Sequence, residues 1–234
     1  MAVVDHSSGG GDMRLAPKVL IGFIGIVALT MDAHAAPPNA TAGTAKSESQ
    51  QTIAEKQKLA KAMAAIAVDS AVRTCLFERT ADERVAKCTK AIQMLRSPSG
   101  SSMRNLLPSI LAARGQGYAM GPKPDFKKAI RDYDSAIRLA PSADDYYYRG
   151  IAYLHENNAD HALRDFKVFV SREKSTTSAL GYVYIGYIYG YEKSYAKAAT
   201  AYRKAIHINP KLKDNLAKSL AYDEAHAGKA KKSR

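Results

Sequence analysis

Residues 125–137 read DFKKAIRDYDSAI and residues 149–154 read RGIAYL, and these two stretches decide the fold. They place small and aromatic residues at fixed spacing, and that spacing occurs three times along the chain. The three sets are Gly115, Tyr118, Ala129, Tyr133, Ala136 and Pro141; Gly150, Tyr153, Ala162, Phe166 and Phe169; and Gly186, Tyr189, Ala198, Tyr202, Ala205 and Pro210. A period of roughly 34 residues built in this way predicts stacked helical hairpins.

In each hairpin the glycine belongs to the first helix, and the run of alanine, aromatic and third residue belongs to the second. Residues spaced by four and then by three share one face of a helix, so the run faces the first helix. Glycine lets the two helices approach closely there. Pro141 and Pro210 end their second helices, whereas the middle hairpin has Lys174 instead. Three residues are predicted to cap the second helices at their N-termini: Asp125, Asn158 and Ser194.

The N-terminal residues 1–35 have the layout of an export signal, with Met13 as the predicted start. Arg14 and Lys18 precede an apolar run, VLIGFIGIVALTM at 19–31, and residues 33–35 (AHA) offer small residues for cleavage. This run is short beside the roughly 20 residues that span a membrane. The sequence therefore favours a cleaved signal and a periplasmic or secreted protein, with an uncleaved membrane anchor as the alternative.

The same repeat spacing, carried upstream, predicts a degenerate fourth hairpin at residues 65–98. Thr80 and Glu83 have the spacing of a capping box at the start of its second helix. Cys88 stands at the aromatic position, and Cys75 precedes it by the separation that other hairpins show between two aromatic residues. Because an exported protein meets oxidising conditions, we expect a Cys75–Cys88 disulfide. Two buried free thiols are the alternative, and two cysteines without a nearby histidine make a poor zinc site.

Four further segments complete the predicted organisation. Residues 36–50 predict a flexible linker, because they are rich in Ala, Pro, Ser and Thr. Residues 51–98 hold an N-terminal helix and the degenerate hairpin, and a serine-rich break at 97–102 precedes the three hairpins of 108–210. Residues 211–227 predict a capping helix, and residues 228–234 form a basic tail. Apolar residues fall at helical spacing on the two outer helices: Ile53, Leu59, Met63 and Ile66 on the first, and Leu212, Leu216 and Leu220 on the last.

The Gly, Tyr, Ala, aromatic, Ala, Pro spacing resembles the tetratricopeptide repeat (TPR) family, strongly over 108–210 and weakly over 65–98. The resemblance implies an all-α fold, a right-handed solenoid of antiparallel helix pairs whose first helices line a concave groove. It also implies binding of proteins or peptides and no enzymatic activity. The tryptophan usual early in the first helix is missing, and these residues stand in its place: Leu111, Tyr146 and Tyr182.

The face of each first helix opposite the packed glycine predicts a partner-binding groove. Seven residues are placed on it: Gln116, Tyr147, Ile151, His155, Val183, Tyr187 and Tyr191. Tyrosine suits peptide recognition because it combines a large contact area with a hydroxyl group. The alternative is that the tyrosines only pack against the next repeat. The groove lacks the Lys, Arg and Asn cluster with which some relatives hold a terminal carboxylate.

The formal net charge of +13 indicates an anionic partner or a need for solubility. Basic residues fall mostly on the predicted second helices: Lys127, Lys128, Arg131, Arg138, Arg164, Lys167, Lys197, Arg203 and Lys204. They form either a solvated convex face or a contact with anionic envelope polymer or membrane. Nucleic acid is not expected as a partner of an exported protein. The sequence specifies neither the identity of the partner nor the oligomeric state.

We find no group of residues with the logic of an active site, so no enzymatic activity, cofactor or metal is expected. Asp144 and Asp145 lack a nucleophile beside them, and His155 and His161 are six residues apart and do not share a helix face. The sequence therefore predicts a non-enzymatic adaptor of the cell envelope that binds a protein or peptide in its groove. The alternative is an envelope structural protein that associates with anionic polymer or membrane.

Overall fold

Helix follows helix through residues 41–232, the part of the chain that the computed structural model describes; side chains are described for residues 50–228. The predicted export signal and residues 36–40 lie outside the described residues. The chain divides into residues 1–48 and 49–234, and the described part of the first unit is helical. The described helices are α1 Thr41–Leu76, α2 Ala81–Arg96, α3 Leu107–Met120, α4 Phe126–Leu139, α5 Ala143–His155, α6 Ala159–Arg172, α7 Ser178–Tyr191, α8 Tyr195–Ile208 and α9 Lys213–Lys232, with 3-10 helices at Pro98–Leu106 and Pro210–Leu212.

Consecutive helices from α2 to α9 pack against each other, and short connections make neighbours antiparallel. The described residues contain no strand. The predicted all-α solenoid of helix pairs is therefore confirmed. The membership of each pair is also as predicted, with α3–α4, α5–α6 and α7–α8 as the three hairpins.

The predicted contact between glycine and aromatic residue holds each of these three pairs together. A Cβ added at Gly115 would lie 3.1 Å from the ring of Tyr133. One added at Gly150 would lie 3.0 Å from the ring of Phe166, and one added at Gly186 would lie 2.6 Å from the ring of Tyr202. The three rings are at most 5% exposed. Any larger residue would push the helices apart, which explains why the spacing decides the fold.

Two of the predicted helix caps form hydrogen bonds and two do not. Asp125 accepts a hydrogen bond from the backbone amide of Lys128 at 2.9 Å, and Asn158 accepts one from that of His161 at 3.3 Å. Ser194 is the N-cap of α8, but its side chain forms no capping bond and only its carbonyl accepts from the helix. The predicted capping box at Thr80 is also absent, because the Thr80 hydroxyl donates to the carboxylate of Glu78 instead.

The N-terminal hairpin contains the disulfide between Cys75 and Cys88 that the sequence predicts. The two Cα atoms are 4.6 Å apart, and both side chains are fully buried between α1 and α2. Val68 and Val72 of α1 join the same core as Ile92 and Leu95 of α2. The disulfide thus closes the first pair of helices at the two positions that aromatic residues such as Tyr153 and Phe166 occupy in other pairs.

The outer helices differ in extent from the sequence prediction. α1 begins at Thr41, within the segment predicted as a flexible linker, because residues 41–50 have alanines and no proline. α9 continues past Gly228 to Lys232, through part of the predicted tail, because one glycine costs a helix only about 1 kcal/mol. Leu212, Leu216 and Leu220 pack on α8 as a capping helix requires. No helix of the described residues is long and apolar enough to cross a membrane.

Candidate functional site

The structure divides the predicted groove residues into a packed group and an exposed group. Tyr147 belongs to the packed group, with its ring centroid 4.9 Å from that of Phe169 and 5.8 Å from that of Tyr184. Burial raises the pKa of the Tyr147 phenol above its ordinary value. The ring of Tyr147 therefore packs from α5 against α6 and α7. This agrees with the alternative that the tyrosines pack against the next repeat.

Four other predicted groove residues are also engaged or partly covered. Ile151 packs against the core that contains Phe166, and Val183 packs against the core shared by α8 and α9. His155 is exposed, and its ring stacks on Phe126 with centroids 4.2 Å apart and planes 1° apart. Gln116 is half-buried. These residues give the groove few free side chains along α3 and α5.

The exposed group lies at the C-terminal end of the array. Tyr187 and Tyr191 are 58% and 81% exposed, although both are large aromatic residues. Their neighbour Tyr222 on α9 is 56% exposed and was not among the predicted groove residues. We call these three residues the tyrosine surface.

Two clefts border the tyrosine surface. Tyr187 and Tyr191 line a cleft of about 140 Å³ with Leu154 and Ile188, between α5 and α7. They also line a cleft of about 380 Å³ between α7 and α9, together with Gly190, Tyr202, Lys218, Ser219, Tyr222 and Asp223. The tyrosine surface is therefore flanked by concave spaces that an extended chain could enter with its side chains.

One carboxyl group of the larger cleft has an unusual environment. Asp223 is only 4% exposed, and burial raises its pKa above the ordinary value. Burial also raises the pKa of Tyr202, to about 12. The floor of this cleft thus offers polar atoms in a place with little water, where hydrogen bonds to a ligand are worth more than at an open surface.

A different polar feature, which was not predicted from the sequence, is a set of buried ion pairs between arginines of the first helices and aspartates of the second helices. Arg114 contacts both carboxylate oxygens of Asp132 at 2.7 Å. Arg149 contacts both oxygens of Asp165 at 2.7 and 2.8 Å and reaches Asp134 at 2.7 Å. A signal was present in the sequence, since each arginine precedes the glycine and each of these aspartates is next to the aromatic residue.

The nine basic residues predicted on the second helices are all exposed. Some have acidic neighbours at the surface: Lys128 contacts Asp125 at 2.8 Å, and Arg203 contacts Glu224 at 2.6 Å. Exposed pairs of this kind contribute at most about 1 kcal/mol each. The described residues contain no group of three or more His, Cys, Asp and Glu side chains that could hold a metal ion.

The comparison with the crystal structure of MamA protein agrees with this fold. The crystal structure of MamA protein superposes with a TM-score of 0.52 at 20% sequence identity, covering 68% of this chain and 84% of that one. The MamA RS-1 ArsTM double mutant gives a TM-score of 0.47 at 18% identity, covering 73% and 96%. No protein-family model matches the chain, and no curated protein matches it. The first superposition shows that the chain has the fold of a TPR-like solenoid.

Proposed function

We propose that the chain is a non-enzymatic adaptor that binds a protein or an extended peptide through the tyrosine surface. The observation that carries this proposal is the exposure of Tyr187 and Tyr191 beside two clefts. Clustered exposed aromatic residues mark interaction sites, because leaving them in water costs free energy that a partner recovers.

An extended peptide matches the form of this site better than a compact ligand. The two clefts lie on opposite sides of the same pair of tyrosines, so neighbouring side chains of one peptide can enter both. Lys218 and Asp223 border the larger cleft and supply one positive and one negative group. The site therefore favours a peptide with apolar anchors and a few polar groups over a strongly charged polymer.

We further propose that the adaptor works in the cell envelope, as a periplasmic or secreted protein. Two features support this location: the signal-like sequence of residues 1–35 and the Cys75–Cys88 disulfide. Disulfides persist in oxidising compartments and are rare in a reducing cytosol.

A second candidate function uses the opposite face. The exposed basic residues of the second helices favour a structural role in which the protein associates with anionic polymer or membrane. Such binding is electrostatic and weakens strongly as the salt concentration rises. Salt dependence therefore separates it from binding through the tyrosine surface.

The test combines site-specific cross-linking with a matched pair of variants. A photo-cross-linking phenylalanine analogue replaces Tyr191 in one preparation and Phe77 in another, since Phe77 is a 78% exposed aromatic residue at the other end of the array. We expect a defined adduct from envelope extracts at position 191 and none at position 77. Tyr187→Ala with Tyr191→Ala should weaken capture roughly 30-fold or more, as for a binding hot spot, whereas Phe77→Ala should have no effect.

Two results would contradict the adaptor proposal. One is equal cross-linking at positions 77 and 191. The other is capture that survives the double tyrosine change and disappears at high salt, which would favour the basic face.

A further inference from the structure

The ion pairs between first-helix arginines and second-helix side chains occupy equivalent positions at two successive junctions of the array. At the junction of α4 and α6, the guanidinium of Arg149 lies between Asp134 and Asp165. The rings of Tyr146 and Tyr153 lie close to it, with centroids 5.4 and 5.8 Å from its central carbon. At the junction of α2 and α4, Arg114 reaches Asp132 and the hydroxyl of Thr89 in the equivalent way. We call each such group an arginine plug.

The third junction, between α6 and α8, has no arginine plug. Repeat spacing equates three positions of the filled junction with three positions of the open one: Arg149 with Ile185, Asp165 with Ala201, and Asp134 with Lys167. The two tyrosines are retained as Tyr182 and Tyr189. Where the plug would lie, the structure has a cleft of about 540 Å³ over Ile185 and Ala201, both about 5% exposed.

Three lysines surround this cleft, which we call the lysine-rimmed cleft. Lys167 comes from α6, and Lys197 and Lys204 come from α8. Their ammonium groups lie 5.4 to 5.6 Å from the ring centroids of Tyr182 and Tyr189. Among the described residues, none of the three forms a salt bridge. The rim of the cleft therefore carries positive charges that no described carboxylate neutralises. At the filled junction, by contrast, the carboxylates of Asp134 and Asp165 surround the guanidinium of Arg149.

We propose that the lysine-rimmed cleft binds an acidic peptide segment of a partner protein, with one apolar side chain in the cleft and carboxylates on either side of it. The charges support this occupant, because they are the reverse of those at the arginine plug. The apolar floor and tyrosine walls exclude water from an inserted ring or aliphatic chain. The site is separate from the tyrosine surface and does not depend on the function proposed for it.

The positions of the lysines set the spacing of the carboxylates. Lys197 and Lys204 are seven residues apart on α8, which is about 10.5 Å along the helix axis. An extended peptide covers that distance in about three residues. An apolar residue with two acidic residues on each side has carboxylates three positions apart across it, so it brings carboxylates to both lysines while its own side chain enters the cleft.

The test uses the pentapeptide Asp-Asp-Phe-Asp-Asp with blocked ends, titrated into the full chain while the resonances of Tyr182 and Tyr189 are followed by NMR. Two control peptides are Asp-Asp-Gly-Asp-Asp, which lacks the anchor, and Lys-Lys-Phe-Lys-Lys, which reverses the charge. Free phenylpropionate is the small-molecule control. We expect saturable binding of the first peptide, and at least about tenfold weaker binding of each control.

Two protein variants locate the site. Ile185→Arg with Ala201→Asp and Lys167→Asp rebuilds the plug, and we expect it to weaken binding at least about tenfold. Lys123→Ala with Lys211→Ala makes the same net charge change at exposed positions away from the cleft and should bind like the wild type. A second variant, Lys167→Ala with Lys197→Ala and Lys204→Ala, changes only exposed side chains and should fold. We expect this variant to lose peptide binding, so the site can be tested even if the plug variant does not fold.

Each other outcome overturns the proposal. Unchanged binding by the plug variant or by the triple lysine variant places the peptide elsewhere. Equal binding of Asp-Asp-Gly-Asp-Asp shows only general attraction to positive charge. Equal or tighter binding of phenylpropionate shows a site for small carboxylates rather than for a peptide.

Discussion

Arg149 and Asp165 join α5 to α6 through two hydrogen bonds of 2.7 and 2.8 Å, and Arg149 also reaches back to Asp134 on α4. Removing the arginine leaves two carboxylates without their partner, and one of them is only 4% exposed. We expect Arg149→Ala to lower the free energy of unfolding by about 3 kcal/mol, measured by urea denaturation.

The chain itself offers the control for that change. Arg149→Ile with Asp165→Ala and Asp134→Lys copies the residues of the open junction, and it leaves no unpaired buried charge. We expect its stability to lie within about 1 kcal/mol of the wild type. If the triple variant is as unstable as Arg149→Ala, the ion pair is itself a main source of stability.

The disulfide contributes to the stability of the first helix pair. Reduction of the Cys75–Cys88 bond should lower the free energy of unfolding by about 3 kcal/mol, because it frees a loop of about 14 residues in the unfolded chain. The measurement is urea denaturation with and without a phosphine reductant. In the variant Cys75→Ala with Cys88→Ala, the reductant should leave the free energy of unfolding unchanged. If the reductant destabilises this variant as much as the wild type, the loss of stability does not come from the disulfide.

Two glycines should respond to alanine in opposite directions. Gly150→Ala brings a Cβ within 3.0 Å of the fully buried ring of Phe166, so we expect a loss of about 1–3 kcal/mol. Gly228 lies inside α9 with no atom within 4 Å of an added Cβ. Gly228→Ala should therefore stabilise the protein by about 0.5–1 kcal/mol, because alanine is the better helix former. Thermal or urea unfolding of both variants measures the two signs, and a loss at both positions would contradict the packing argument.

Asp145 should make stability depend on pH. Burial raises the pKa of its carboxyl group from 3.8 to about 6, and a backbone hydrogen bond from Ser142 only partly opposes this. Between these two values the folded protein binds more protons than the unfolded chain, so this contribution to stability falls as the pH rises to about 6. Asp145→Asn should therefore stabilise the protein by about 1–2 kcal/mol above pH 6, an amount reduced for partial solvation.

The same substitution supplies its own control at low pH. Below about pH 3 both the folded and the unfolded wild type carry a mostly protonated Asp145, because this pH lies well below both pKa values. The difference between Asp145→Asn and the wild type should then approach zero in urea denaturation. A constant difference at all pH values would show that the amide acts through packing and not through ionisation.

The pairing of the helices could be read from the sequence because its determinants lie close together along the chain. Gly150 and Phe166 are part of one hairpin, and their spacing recurs at the other two hairpins. The spacing that pairs Tyr153 with Phe166 also pairs Cys75 with Cys88, so repeat alignment alone located the disulfide.

The surfaces were harder to predict, because each combines residues from separate repeats. Tyr147 has the offset of a groove residue, yet Tyr184 of the next repeat packs on it. Tyr222 lies on α9, which has no equivalent in the repeat pattern and so received no position in the groove. The lysine-rimmed cleft exists because Ile185 stands where the preceding repeat has Arg149. This difference is recognised only when α6, α7 and α8 are aligned with α4, α5 and α6.

The end of a linear array has a neighbour on one side only, and its last pair of helices is therefore the most prone to fray. The covalent bond between Cys75 and Cys88 ties α1 to α2 at one end of the described array. At the other end, α9 rests on α8 through non-covalent contacts and has Leu216 as its buried leucine. Among the helices from α2 to α9, opening is thus biased toward the C-terminal end, where hydrogen exchange should be fastest. The tyrosine surface would be the first to lose its shape.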